Sequence, residues 1–227
     1  MPTAVESNAA LRLVTSAAVE TAVKLYRGVH GDPVGRRLAL LDAVPEIVGY
    51  YTAGSSALAA DFYDDERALA NARGRFTAEP IVTDRTEKIR RAVAWAAEPL
   101  FVPSDSDPEK RLAEVVQLEV ARPYRDTITV NRQRDSEAIG WRRVSSGGCA
   151  FCRMLADRDV VYGKNTARFA AHEHCNCSAA PVFRGGVHGP EASVMQYVAS
   201  QRRRSPAQQA LLRQYLRDHY GDESHTH

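Results

Sequence analysis

Apolar residues recur every three to four positions through the first part of the chain. Between Asn8 and Tyr26 they fall at Leu11, Val14, Ala18, Val19, Ala22 and Val23, the spacing that lines one face of an α-helix. Gly28 to Pro33 interrupts the pattern. It resumes from Leu38 to Tyr51, where Pro45 is expected to mark a kink or a boundary because proline lacks a backbone donor. A further helical stretch runs from Ser55 to Ala72 on Leu58, Phe62, Ala68 and Leu69, with Gly74 as its expected stop. Asp84 to Glu98 makes another, with Thr83 as the candidate cap and Pro99 just beyond its end. After the loop Pro103-Ser-Asp-Ser-Asp-Pro108, Asp107 is placed to cap a helix that has Pro108 at its first position and Glu109 in its first turn. That helix carries Leu112, Val115, Val116 and Leu118, and Pro123 is expected to end or bend it. Helix is expected again from Tyr124 to Ile139, although Thr127-Ile-Thr-Val130 has the β-branched character of a strand.

From Trp141 the texture changes. Trp141-Arg-Arg-Val144 reads as a short strand, Ser145-Ser-Gly-Gly148 as a turn and Phe151 to Ala156 as one or two helical turns. Val160-Val-Tyr162 and Ala179 to Phe183 are further strand candidates, and the glycines 185, 186 and 189 with Pro190 close the segment. Two helical pieces follow, from about Ala192 to Arg203 and from Pro206 to Tyr220, the second opened by Ser205-Pro206. The pattern predicts an α+β chain in three parts: a helical domain over residues 1–123, a small α+β module over 124–190, and C-terminal helices with a disordered tail over 191–227. There is no internal repeat.

Composition narrows the setting. The 227 residues are 44% hydrophobic and 26% charged, with a formal net charge of +2, which gives no global electrostatic case for nucleic-acid binding. No run of about eighteen apolar residues occurs, so no membrane partner is expected. The first residues, Met1-Pro-Thr-Ala-Val-Glu-Ser-Asn8, lack the basic and apolar regions of a secretory signal. A reducing, intracellular folding compartment is therefore expected, and there metal ligation is favoured over disulfides for cysteine.

All 4 cysteines fall in one stretch, as Cys149-Ala-Phe-Cys152 and, after nineteen residues, His172-Glu-His174-Cys175-Asn-Cys177. Thiolates and imidazoles in this arrangement are the ligand set of structural Zn²⁺. Cys149 and Cys152 rank first as ligands, then Cys175, then His172 or Cys177, with His174 last. On an extended segment Cys175 and Cys177 would share one face. The set exceeds a tetrahedral shell, so at least one member stands outside it. Reduced buried cysteines without a metal are the plain alternative.

Catalytic spacings fail. A zinc-hydrolase helix needs His-Glu-x-x-His, but Asn176 occupies the last position. A nucleobase deaminase needs His-x-Glu ahead of its Cys-x-x-Cys, and here the order is reversed. No enzymatic activity is expected; a thiol nucleophile beside His172 or His174 is the remaining enzymatic alternative.

The order of four segments carries a family resemblance: Tyr124-Arg-Asp-Thr127, Ile139-Gly-Trp141-Arg-Arg-Val144, Gly148-Cys-Ala-Phe-Cys152-Arg-Met-Leu-Ala156 and His172-Glu-His-Cys175-Asn-Cys177. With Ala180-Pro-Val182 after them, they resemble the Mu F-like minor head (minor capsid) proteins of tailed phages, in particular the actinobacteriophage branch. Glu173 and Asn176 depart from the proline and arginine common there, while the His-x-x-Cys-x-Cys ligand pattern is intact. The resemblance implies His172, Cys175 and Cys177, with Cys149 and Cys152, as the metal site. It implies a structural protein of the phage head interior, assembled in the host cytoplasm. Its implied partners are the portal protein, with the major capsid protein and packaged dsDNA as further contacts during packaging or ejection. Some genes of this branch are labelled capsid maturation proteases, which is one alternative; a zinc-bearing nucleic-acid-binding module is another. Arg202-Arg203-Arg204 is the candidate contact for DNA or a partner, since each phosphate neutralised releases counterions. A solvated helix end is the plainer reading of the same run. Leu211, Leu212, Tyr215 and Leu216 give the last helix an apolar stripe.

Overall fold

The computed structural model describes residues 1–102, 105–145, 150–157, 161–163, 169, 175, 177–186 and 205–221. Four helices come first: α1 (Ala4–Gly28), α2 (Pro33–Leu69), α3 (Thr86–Ala96) and α4 (Pro108–Arg134), with a short 3₁₀ turn over Glu98–Leu100. Strand β1 (Ala138–Val144), helix α5 (Ala150–Asp157), strand β2 (Ser178–Phe183) and helix α6 (Pro206–Tyr220) follow. The α+β class expected from the hydrophobic pattern is the class observed. Among the described residues no helix is long and apolar enough to cross a membrane.

Local chemistry accounts for the helix starts. Thr3 and Glu6 close a reciprocal capping box at α1. Asp32 accepts from the amides of Val34 and Gly35 at α2, Asp107 from Glu109 at α4, and Ser205 from Gln208 at α6. At α3 the expected Thr83 cap is not made: Arg85 holds the cap position without a side-chain bond, and Asp84 Oδ1 just before it accepts from both the amide and the hydroxyl of Thr86 at 2.9 and 2.8 Å.

Two prolines behave differently from the expectation. The stretches 38–51 and 55–72 merge into the single 37-residue helix α2, which runs through Pro45. Helix α4 runs through Pro123 and continues to Arg134. Both prolines are buried against neighbouring helices, so packing outweighs a local cost of about 3 kcal/mol. The junction expected at residues 123 and 124 therefore lies inside α4. The Thr127–Val130 run is helical because its side chains have tertiary work: Ile128 is in the core, and Thr127 Oγ1 accepts from the Ile81 amide at 2.9 Å. One turn on, Asn131 accepts from the Glu79 amide at 2.9 Å and donates to the Glu79 carbonyl at 2.7 Å. These side chains take the place of a sheet partner for the extended segment before α3.

Helices α1, α2 and α4 lie side by side and bury two cores at opposite ends. One joins Ala18, Leu40, Val44, Val48, Val93 and Val116, with α3 packed on it. The other joins Leu11, Phe62, Tyr63, Tyr124 and Ile128 to Trp141, Val144, Ala180 and Phe183 of the sheet. The sheet is an antiparallel pair, β1 with β2, in which Trp141 opposes Pro181 and Val144 opposes Ser178. The expected strand at 160–162 is reduced to one bridge, Tyr162 to Trp141, with residue 160 outside the described set. Gly140 makes this bridge possible. A Cβ there would stand 2.5 Å from Val161 Cγ1 and 2.6 Å from the Tyr162 carbonyl oxygen. At the end of α4, buried Asp135 accepts from Arg67 Nε at 3.0 Å and from the Glu137 amide at 3.0 Å, fixing the turn into β1.

Candidate metal centre

Helix α5 carries Cys152 inward, and the two residues flanking position 176 carry Cys175 and Cys177 to the same place just before β2. The three thiols are 0–1% exposed, and their sulfur atoms all lie within 4.8 Å of one another. Cys152 and Cys175 Sγ are 3.8 Å apart. Two thiolates bound at 2.3 Å to one tetrahedral ion stand about 3.8 Å apart by simple geometry. Among the described residues no carboxylate belongs to the group, and three soft sulfur donors suit a thiophilic divalent ion. The donor set and its spacing therefore fit a metal, with Cys152, Cys175 and Cys177 as the residues that would hold it.

Two arginines line the cluster. Arg125, from the buried face of α4, donates from Nε to the Cys177 carbonyl at 3.0 Å and from Nη2 to the Cys175 carbonyl at 2.9 Å. Arg143, on the same face of β1 as Trp141, has Nη1 3.9 Å from Cys175 Sγ. Phe169 lies against both guanidinium groups, with Arg125 Cζ 4.8 Å and Arg143 Cζ 4.1 Å from its ring centre, and it also touches Trp141. Trp141 in turn stacks on Tyr162 at 4.3 Å.

Hydrogen bonds from Cys152 and Cys177 pull the Cys175 thiol well below the usual range, helped by the Arg125 charge against the opposing effect of burial. Hydrogen bonding with Cys175 and Cys177, and burial beside them, push the Cys152 thiol far up. One thiolate is thus stabilised inside the cluster, the form in which cysteine binds metal.

Of the predicted ligands, the structure brings together Cys152, Cys175 and Cys177. Cys149, His172 and the lower-ranked His174 lie outside the described residues, as do Arg202, Arg203 and Arg204. The sequence reading missed Arg125 and Arg143. Both stand in segments already conspicuous for other reasons, Tyr124-Arg-Asp-Thr127 and Trp141-Arg-Arg-Val144. The strand alternation that places Arg143 on the face of Trp141 was the available signal.

Helices laid side by side, capped at one end by a two-stranded sheet and a buried thiol cluster, define the class: a mainly helical protein with a C-terminal cysteine module. The chain belongs to the family of VG15 proteins, whose pattern it matches over residues 2–200. It is similar to the Gene 15 protein of Mycobacterium phage L5, with 30% identity over 172 residues covering 67% of this chain and 55% of that protein. The chain thus spans about half the length of this curated relative. No solved structure matches it.

Proposed function

We propose that this phage protein is a minor head protein of the Mu F-like kind, associated with the portal inside the procapsid and capsid. In this reading the module after β1 is stapled by a structural Zn²⁺. The observation that carries the reading is the buried triad of Cys152, Cys175 and Cys177 in a chain of a phage family. The triad joins Cys152, the second cysteine of the Cys-x-x-Cys motif, to both cysteines of Cys-x-Cys, with Cys152 and Cys175 at ligand spacing. Burial of all three thiols supports a structural rather than a nucleophilic use of the sulfur. Zinc supplies binding energy to the fold when bound; the chain supplies the thiolates, the surrounding positive charge and the exclusion of water.

The experiment is co-expression of the full chain with the portal protein of its phage, followed by affinity capture and by mass spectrometry of purified virions. Stoichiometric capture with the portal and presence in the virion at a few copies support the reading. Absence from virions, with no portal capture, contradicts it. Cleavage of capsid protein that is lost in Cys→Ser variants would favour the protease alternative, and DNA retention that falls steeply with salt would favour the nucleic-acid-binding one.

A further inference from the structure

We propose that Arg125 is the positioning residue of the thiolate centre: it holds Cys175 and Cys177 in ligand geometry and, with Arg143, offsets the negative charge of a bound metal–thiolate centre. This rests on reading the three thiols as metal ligands.

Arginine does not deprotonate in proteins, and Arg125 is 3% exposed. A buried guanidinium is costly unless a negative charge accompanies it. Among the described residues no carboxylate lies within ion-pair distance of Arg125. The ionisable groups that act on it most are Cys175, Cys177 and Cys152, together with the like charge of Arg143; the Asp126 carboxylate feels Arg125 as well, but less than it feels Arg122 and Arg85. Three neutral thiols would leave two like-charged guanidinium groups against Phe169. Three thiolates around a divalent ion carry a net charge of −1, and a fourth thiolate would make it −2, so a thiolate-rich centre supplies the missing anion. Neutral imidazoles in place of the thiolates would leave the +2 charge of the ion uncompensated beside a positive lining.

The hydrogen bonds add geometry to the charge. Arg125 uses two donors of its planar fork on the carbonyls of both cysteines in the Cys-x-Cys segment. That sets the spacing of the two ligands from the helical body, because Arg125 belongs to α4. Outer groups that orient metal ligands commonly change affinity roughly 10–100-fold when removed.

The test is Co²⁺ and Zn²⁺ titration of the full chain against a chromophoric chelator. It compares wild type with Arg125→Met, which keeps the chain volume without charge or fork, and with Arg125→Lys, which keeps the charge alone. The expected result is affinity roughly 10–100-fold weaker in Arg125→Met, partial recovery in Arg125→Lys, and an unchanged thiolate-to-cobalt charge-transfer intensity per bound ion. Equal affinity in Arg125→Met and wild type overturns the assignment while leaving the metal reading intact. Failure of the wild type itself to bind either ion overturns both. Should Arg125→Met not fold, Arg125→Lys decides: affinity weaker than wild type supports the assignment, and affinity equal to wild type contradicts it.

Discussion

At the α3 end of the helical bundle the interior is aliphatic, built around Val44, Val48, Val93 and Val116. Beyond the sheet, at the other end, the interior is three thiols, two guanidinium groups and the ring of Phe169. The first region buries enough apolar surface to hold itself together, since each fully buried Val or Leu contributes about 1.5–3 kcal/mol. The second has two strands, which send Trp141, Val144, Ala180 and Phe183 into the helical core, and an eight-residue helix. Around the thiols themselves the apolar packing comes from Phe151 and Phe169. A two-stranded sheet is marginal alone, and a region this small depends on docking to the helices and on a cross-link through its sulfur atoms. Apolar packing therefore holds the α3 end by itself, while at the other end it docks the sheet and sulfur chemistry ties α5 to the segment before β2.

The largest expected effect separates the two directly. Cys175→Ser, or extraction of the metal by a strong chelator, should expose the β1, α5 and β2 amides to hydrogen exchange while α2 and α4 stay protected in the α3-end core. Structural zinc contributes about 10–16 kcal/mol in small zinc-dependent folds, so the module should lose its order outright. Equal loss of protection at both ends would merge the two regions into one cooperative unit.

The next effects lie where the regions join. Asp135→Ala leaves Arg67, whose side chain is 11% exposed, without its carboxylate, at an expected cost of about 3–5 kcal/mol in chemical denaturation. Gly140→Ala forces a methyl group into the Tyr162 carbonyl and Val161, at an expected cost of about 1–3 kcal/mol, because a rigid backbone stands in the way. A cost below a few tenths of a kcal/mol at either site would show that the junction is looser than its hydrogen bonds and contacts imply.

The smallest effect is electrostatic and confined to the helical body. The Asp32 carboxylate is held below its ordinary value by the amides of Gly35 and Val34, and that of Glu6 by the backbone and side chain of Thr3. A depressed carboxylate stabilises the fold above its unfolded value and loses that contribution as pH falls through the folded one. The contribution of these two caps to the melting temperature should accordingly be constant above about pH 4–5 and fall below that range, against the opposite trend of Asp64, Glu66 and Asp126, whose carboxyls burial raises. Asp32→Ala should flatten part of the slope; an unchanged acid slope would remove the cap from the explanation.

How much of this was visible in the chain depends on the range of the forces involved. Helix caps at Asp107 and Ser205 were legible because cap chemistry is local, involving groups two or three residues apart. The association of Cys152 with Cys175 and Cys177 was legible because ligand chemistry demands it whatever the fold. The continuity of α2 and α4 was not, since Pro45 and Pro123 stop helices in isolation and are tolerated only because other helices cover them. Arg125 was hidden for a similar reason. On a helix an arginine reads as a solvated residue, and its burial follows from a contact 50 and 52 residues away in the chain.

The most direct test of the central claim, that a metal–thiolate centre holds the C-terminal module, is native mass spectrometry of freshly purified protein before and after thiol alkylation. The account predicts about one divalent ion per chain, with Cys152, Cys175 and Cys177 protected from alkylation until the ion is removed. Metal-free protein whose folded module keeps the same hydrogen-exchange protection, with thiol reactivity unchanged by chelator, would contradict it.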